Sequence, residues 1–376
     1  MPECDNPLWP CAMTGAAACL AGFRGMSVVI HGSSGCYYYP TTLLHAPLHG
    51  TFIMENEVIH GSEDRLREVI GELSGTGDRI AVVTTCVPAI LGEDIQSLLA
   101  EYDLLLVDSP GFSGNAEAGY AKALSCLSPQ ISTETDGVNI DGISLLDPFS
   151  QGNLQEIRRL LCMASIPVGT VFCRDSLEKT RAAAPWTIGT NGDFASGVGK
   201  FLGGTLGPAA LRTTFAKLGN LFESGDIGPL FRELDERDEE AVRVCDKHLR
   251  RFDPPSVVIF AGASYAEFAA QLLEQYLDAD ILFLGLRNEG SPSRFPWAPV
   301  TGLDEAATLI SKHDPDLVLG SSFERPVSGG RAFYGITPPL RGTVRLAPQP
   351  LAGINGTLSF LEHVMNACMD RRPRQT

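Results

Sequence analysis

Three cysteines, Cys11, Cys36 and Cys86, sit where a thiol could do chemistry, because each falls where regular structure gives way to a turn. Ile80 to Val83 reads as a strand covered on both faces. Thr84-Thr-Cys-Val-Pro88 follows it, and Pro88 suits the first turn of a helix running to about Tyr102. Met26 to Ile30 is a second apolar strand, and the glycine-rich turn after it ends in Cys36. Cys11 lies just before the Ala/Gly-rich segment 12–22. Thiolates are soft ligands for zinc or iron–sulfur clusters. The intervals between these three are too long for a zinc knuckle, and the chain contains no Cys-x-x-Cys pair. Only a fold that brings three separate loops to one sheet edge would make a single soft-metal site of them.

The elements that must do this are strands alternating with helices, which predicts an α/β fold with parallel sheets. Residues 1–130 read as strand 26–31, helix 63–73, strand 80–85, helix 88–101 and strand 103–108. Residues 131–252 read as strand 142–146, helix 153–165, strand 168–172 and a short strand 186–190. A glycine-rich stretch, 192–228, resists assignment, and a long helix runs from 229 to 252. Asp253-Pro-Pro255 marks the clearest boundary. Residues 253–376 read as strand 257–260, a helix ending near 277, strand 281–284, helix 304–313, strand 317–319 and a last helix over 357–369. Three Rossmann-like α/β domains, 1–130, 131–252 and 253–376, are therefore expected, the first carrying the thiols. In open parallel sheets ligands collect beyond the carboxyl ends of the strands, where these cysteines lie.

With 44% hydrophobic and 20% charged residues among 376, the chain is globular. A net charge of −16 speaks against nucleic-acid or anionic-membrane partners, which need basic patches. No apolar run is long enough to cross a bilayer, and the first residues, with Glu3 and Asp5, do not read as a signal peptide. Ten cysteines then suit a reducing, cytoplasmic setting. Cys126, Cys162, Cys245 and Cys368 fall on helical segments and are expected to pack in the core. Cys4 and Cys19 lie near Cys11, and Cys4 is an alternative to it. His45 and His49 are four apart, but Pro47 between them argues against a helical metal site. His31 is expected to orient the following turn by hydrogen bonding, and Trp9 with Tyr37, Tyr38 and Tyr39 to keep water from the thiols or to pack a subunit contact.

The motifs Val29-Ile-His-Gly-Ser-Ser-Gly-Cys36, Thr51 with Glu55 to Gly61, Thr84-Thr-Cys-Val-Pro-Ala-Ile-Leu-Gly-Glu-Asp-Ile95, Val107-Asp-Ser-Pro-Gly-Phe-Ser-Gly114 with Gly119-Tyr120, and Gly353-Ile-Asn-Gly356 keep one order along the chain. Together they resemble the nitrogenase component 1 family, which includes nitrogenase catalytic subunits, the dark-operative protochlorophyllide reductase and the nickel-tetrapyrrole reductive cyclase of methanogens. The resemblance implies that Cys11, Cys36 and Cys86 hold an iron–sulfur cluster, either 4Fe-4S or a larger fused one, at a subunit boundary. A cubane needs four ligands, so a second protomer, identical or a related component 1 subunit, would complete the set. It also implies that a separate ATP-dependent iron protein donates the electrons. The chain's own Gly197-Val-Gly-Lys200 lacks the hydroxyl residue that closes a phosphate-binding loop.

In the nitrogenase branch a cysteine and a histidine hold the active-site cofactor. The matching neighbourhoods here, Thr187-Ile-Gly-Thr-Asn191 and Leu351-Ala-Gly353, contain neither, so no iron–molybdenum-type cofactor held in that way, and no nitrogen fixation, is expected. The resemblance is nearest to the small tetrapyrrole-reductase branch. It implies a reductase component acting on a bound substrate, a tetrapyrrole being the leading candidate, or alternatively a scaffold or maturation protein for a complex iron–sulfur cofactor.

Overall fold

A computed structural model of the chain describes residues 8–99, 102, 104–223, 225–288, 290 and 293–370. Cys4 lies outside the described residues. Three parallel sheets follow one another along the chain, and helices cover their faces.

The first sheet has the order β2-β1-β3-β4, from β1 (Met26–His31), β2 (His49–Gly50), β3 (Arg79–Thr84) and β4 (Leu105–Asp108). Each neighbouring pair is parallel, so His31, Thr84 and Asp108 all end at one edge. The chain goes from β1 to β2 on one side and then crosses to β3 on the other, which makes the gap between β1 and β3 the switch point of the sheet. Helices α1 (Ala12–Leu20), α2 (Ser34–Leu44), α3 (Glu55–His60), α4 (Glu63–Leu73), α5 (Cys86–Leu91), α6 (Ile95–Leu99) and α7 (Ala116–Cys126) surround it. Leu66, Val69, Ile70 and Leu73 of α4 cover one face through Val29, Ile80 and Val82. On the other face, α1 and α7 pack on Val28, Ile30, Ala81, Val83 and Val107, and the same core runs on to Phe172 and Phe194 of the second block.

The second sheet, order β6-β5-β7-β8, comprises β5 (Val138–Asp141), β6 (Val168–Val171), β7 (Trp186–Gly189) and β8 (Lys200–Gly204). Its helices are α8 (Ser150–Met163), α9 (Leu177–Thr180), α10 (Pro208–Leu221) and α11 (Gly228–Leu249). The third, order β11-β10-β9-β12-β13, comprises β9 (Ser256–Ala261), β10 (Asp280–Leu286), β11 (Trp297–Pro299), β12 (Leu317–Gly320) and β13 (Ala332–Gly335). Helices α12 (Ala263–Leu277), α13 (Leu303–His313), α14 (Glu324–Val327) and α15 (Gly353–Met369) accompany it.

Several expectations are corrected. The strand expected over 142–146 lies at Val138–Asp141, where Asn139 and Asp141 are buried polar residues that hid it from a hydrophobic reading. The helix expected to run from 88 to about 102 is two, α5 and α6, because Gly92 takes a left-handed conformation (φ 71°) and ends the first. The unassigned stretch 192–228 holds β8 and α10. Cys162 is exposed, on the solvent side of α8, and does not pack in the core.

Asn139 shows what a polar residue inside a sheet requires. Its amide donates to the Ala184 carbonyl at 2.7 Å and to Thr187 Oγ1 at 3.1 Å, and its Oδ1 accepts from the N–H groups of Thr170 and Ala184, both at 3.0 Å. Removing it strands the Thr170 and Ala184 N–H groups and the Ala184 carbonyl, while Thr187 Oγ1 keeps its bond to the Val198 carbonyl. Asn139→Ala is therefore expected to lower stability by about 3 kcal/mol, read as a lower denaturant midpoint at unchanged slope.

Candidate functional site

The three thiols emerge at helix starts around one end of the first sheet. Cys11 caps α1, Cys36 is the third residue of α2 after β1, and Cys86 is the first residue of α5 after β3. β4 leads into a short 3₁₀ turn at Gly111–Ser113. Gly111 lies between two of the sulfurs: a Cβ there would stand 3.2 Å from Cys11 Sγ and 3.2 Å from Cys86 Sγ. Its N–H donates to Cys86 Sγ at 3.2 Å. Cys36 shares their neighbourhood, since burial pushes its thiol up and the Cys86 and Cys11 sulfurs push it further.

Thiolates at helix N-termini gain from the partial positive charge there. Among the described residues no three His, Cys, Asp or Glu side chains approach closely enough to bind a single metal ion. A cluster spreads its ligands over several irons, and the donor set suits one: three soft thiols, a glycine leaving space between two of them, and Ser109 Oγ buried beside that turn without a hydrogen-bond partner.

His31 ends β1, fully buried. Its Nδ1 pairs with Thr51 Oγ1 at 3.1 Å and its Nε2 with Ser62 Oγ at 3.0 Å, while Glu93 stands 3.5 Å away. Burial holds the imidazole below its ordinary pKa, against the pull of Glu93. Thr51 Oγ1 also accepts from the Gly32 N–H at 3.0 Å, so His31 and Thr51 fix the turn that leads to Cys36.

The other sequence candidates go elsewhere. His45 ends α2, His49 is in β2, and His60 is exposed at the end of α3. Cys19 and Cys173 are buried against each other, sulfurs 3.2 Å apart, away from solvent. Thr187 to Gly189 is part of β7, and the N–H groups of Leu351 and Ala352 bind Asn153 Oδ1.

Around the thiols the surface is apolar and open. Tyr38, Met54, Val58, Ile59, Ile90, Leu91 and Phe112 are exposed, Ile59 to 67%. They belong to α2, α5 and the 3₁₀ turn that carry or contact the thiols, and to α3 with the residue before it. Several exposed apolar side chains on elements that lie next to one another in the chain suit a contact site. Trp9, by contrast, is buried, and its indole donates to both oxygens of Glu117, at 3.0 and 2.9 Å.

Behind Cys11 and Gly111 a cavity of about 1040 Å³ opens between the first and third sheets. Its polar wall went unrecognised in the sequence. Glu117, in the first turn of α7, accepts from Asn288 Nδ2 at 3.1 Å, and burial pushes its carboxyl up to about 7, with the Asp193 charge adding. Asp193 accepts from the Ser264 N–H at the start of α12, at 3.0 Å, and burial raises its carboxyl as well. Only Glu117 carried a hint, by lying between Gly114 and Gly119 of a quoted motif. No helix among the described residues is long and apolar enough to cross a membrane.

The sequence profile described as Nitrogenase component 1 type Oxidoreductase matches residues 11–190. The nitrogenase iron-iron protein beta chain of Rhodobacter capsulatus is 24% identical, with 46% of this chain and 42% of that protein aligned. A nitrogenase iron-molybdenum cofactor biosynthesis protein of Clostridium pasteurianum is 26% identical over 37% of this chain and 34% of its own length. The chain thus spans less than half the length of these two relatives. The nitrogenase molybdenum-iron protein beta chain of Methanococcus maripaludis aligns end to end, 21% identical over 97% of this chain and 94% of that one. The fold matches the structure of nitrogenase Cp1 at pH 6.5 with a TM-score of 0.83, at 15% identity, over 97% of this chain and 93% of that one.

Proposed function

Because the chain belongs to the nitrogenase component 1 type oxidoreductase family, we propose that it is the substrate-reducing component of a nitrogenase-like system. Cys11, Cys36 and Cys86 hold an iron–sulfur cluster, a 4Fe-4S or fused one, completed by a second copy or a related subunit. A separate ATP-dependent iron protein donates to it in the cytoplasm. The observation that carries this reading is the gathering of Cys11 and Cys86 about Gly111, with Cys36 beside them, at the switch point of the first sheet. When bound, the cluster supplies one-electron chemistry at low potential.

The chain's own groups supply the rest. The helix starts and the Gly111 N–H stabilise charge on sulfur. The exposed apolar rim, once covered by a partner, keeps water from the thiols. The cavity behind Cys11 holds the substrate, and at about 1040 Å³ it has room for a ligand as large as a tetrapyrrole.

Protein purified without oxygen is expected to be coloured and to carry iron and acid-labile sulfide in near-equal amounts, several of each per dimer. A colourless, iron-free preparation that reconstitution cannot load would sink the reading. The scaffold alternative draws support from a relative named as a cofactor biosynthesis protein. Mixing loaded protein with an apo-acceptor separates the two: a scaffold hands over its iron, whereas a reductase component keeps it while electrons pass.

A further inference from the structure

Each of the three helix starts that carry the thiols also carries a hydroxyl. Thr14, fully buried in the first turn of α1, has its Oγ1 3.7 Å from Cys11 Sγ. Ser33, at the N-cap of α2, does not cap that helix, and its hydroxyl donates to Cys36 Sγ at 3.7 Å. Thr85, at the N-cap of α5, does not cap its helix either. Pro88 is the third helical residue there and lacks one of the N–H groups from which such a side chain would accept.

Among the described residues two buried hydroxyls have no hydrogen-bond partner, Thr85 Oγ1 and Ser109 Oγ, and both residues are without exposed surface. An unpaired buried hydroxyl costs stability, and the fold avoids it elsewhere: Thr214, deep in the second block, gives its hydroxyl to the Gly204 carbonyl at 2.7 Å. The two exceptions both lie beside the thiols. Thr85 directly precedes Cys86. Gly32, in the turn toward Cys36, leaves room for its hydroxyl, since a Cβ there would stand 2.0 Å from Thr85 Oγ1. Burial pushes the Cys36 thiol up, and the Ser33 and Thr85 hydroxyls pull it back, so Thr85 faces that sulfur. Ser109 follows β4 two residues before Gly111, which stands between the Cys11 and Cys86 sulfurs.

We propose that Thr85 and Ser109 are positioning residues of the thiol site, whose hydroxyls donate hydrogen bonds to sulfur when a cluster is bound, Thr85 to the Cys36 thiolate and Ser109 on the Gly111 side. This deepens the cluster reading and rests on it. Hydrogen bonds to sulfur favour the more negative, reduced state, so the two hydroxyls raise the potential at which the site accepts an electron. In the metal-free chain the same hydroxyls stabilise nothing. Their cost in folding is the mark of a role that only the loaded protein uses.

The test loads the full-length chain with ferrous iron and sulfide without oxygen and follows its reduction by electron paramagnetic resonance, beside melting curves of the metal-free protein. Thr85→Val is expected to make reduction about tenfold less favourable, a fall of about 59 mV in a one-electron midpoint potential. Thr85→Ser, which keeps the hydroxyl, should restore it, and Ser109→Ala should shift the potential in the same direction as Thr85→Val. Metal-free Thr85→Val and Ser109→Ala should melt no lower than the wild type, because no bond is lost. Thr214→Val is the contrast: it loses a made hydrogen bond, so it should melt lower and leave the potential unchanged. Should Thr85→Val shed its iron, retention by Thr85→Ser supports the proposal and loss from both overturns it. Unshifted potentials in Thr85→Val and Ser109→Ala, a clear fall in the melting temperature of their metal-free forms, or an equal shift in Thr214→Val also overturn it. A wild type that takes up no iron strikes the cluster reading and this inference together, whereas a loaded wild type matched by its variants strikes this inference alone.

Discussion

Cys86→Ala is expected to remove nearly all iron and sulfide from chain purified without oxygen, at least a tenfold drop, while the protein stays folded. A cubane needs four ligands, and with Cys11, Cys36 and Cys86 as this chain's proposed share the substitution leaves only two of the three. The thiol is only partly buried and alanine keeps its Cβ at the start of α5, so the cost in stability should stay within about 1 kcal/mol. Cys245→Ala is the contrast. That thiol is buried in α11, packed in the core of the third sheet, and its loss should lower stability by about 1 kcal/mol with iron content unchanged. Iron per chain, measured beside the melting temperature, separates a ligand from a packing thiol. Full iron in the Cys86 variant would remove it from the site.

Gly119→Ala is expected to be the most destabilising exchange of a single methyl group in this fold. α1 and α7 cross backbone to backbone: a Cβ on Gly119 would lie 1.7 Å from the Ala12 carbonyl oxygen, and one on Gly15 would lie 1.8 Å from that of Ala116. Neither carbonyl can rotate away as a side chain would, so the helices must separate, at about 3 kcal/mol or more. For a chain of this size the melting temperature should fall by roughly 4 °C or more. Cys11 stands at the start of one of these helices, so on the proposed reading iron content should fall with it. Gly71→Ala supplies the opposite sign. This glycine sits inside α4 with nothing near its missing Cβ, and alanine there should stabilise by about 0.5–1 kcal/mol. Equal melting temperatures for the two variants would contradict the backbone-contact account.

What was legible in the chain, and what was not, follows from how each element is covered. β1, β3 and β9 are buried on both faces and read as plain apolar runs. β5 escaped because two of its four residues are polar, with partners in the chain just before and just after β7. α1 escaped for another reason: all nine of its residues are buried, so it has no polar face and no helical period to detect. α2 carries Pro40 inside it and read as a turn. The thiol site could be approached because its residues follow recognisable strands and because parallel strands end together. The acid wall could not, since Asn288 and Glu117 meet across 171 positions and belong to different sheets.

The parallel pairing also sets the timetable by which the thiols meet. β1, β3 and β4 share an edge only through crossovers, Cys11 is held by a bridge to Asn115, and Cys86 is held by the Gly111 N–H. Translation must therefore deliver the chain through α7 from the ribosome before these sulfurs have anything to converge upon, and a nascent segment ending earlier presents them as scattered reactive thiols. On the proposed reading, metal loading then has to wait until α7 has emerged and the first sheet has closed, and loaders that act on a shorter nascent segment would find no pocket to fill.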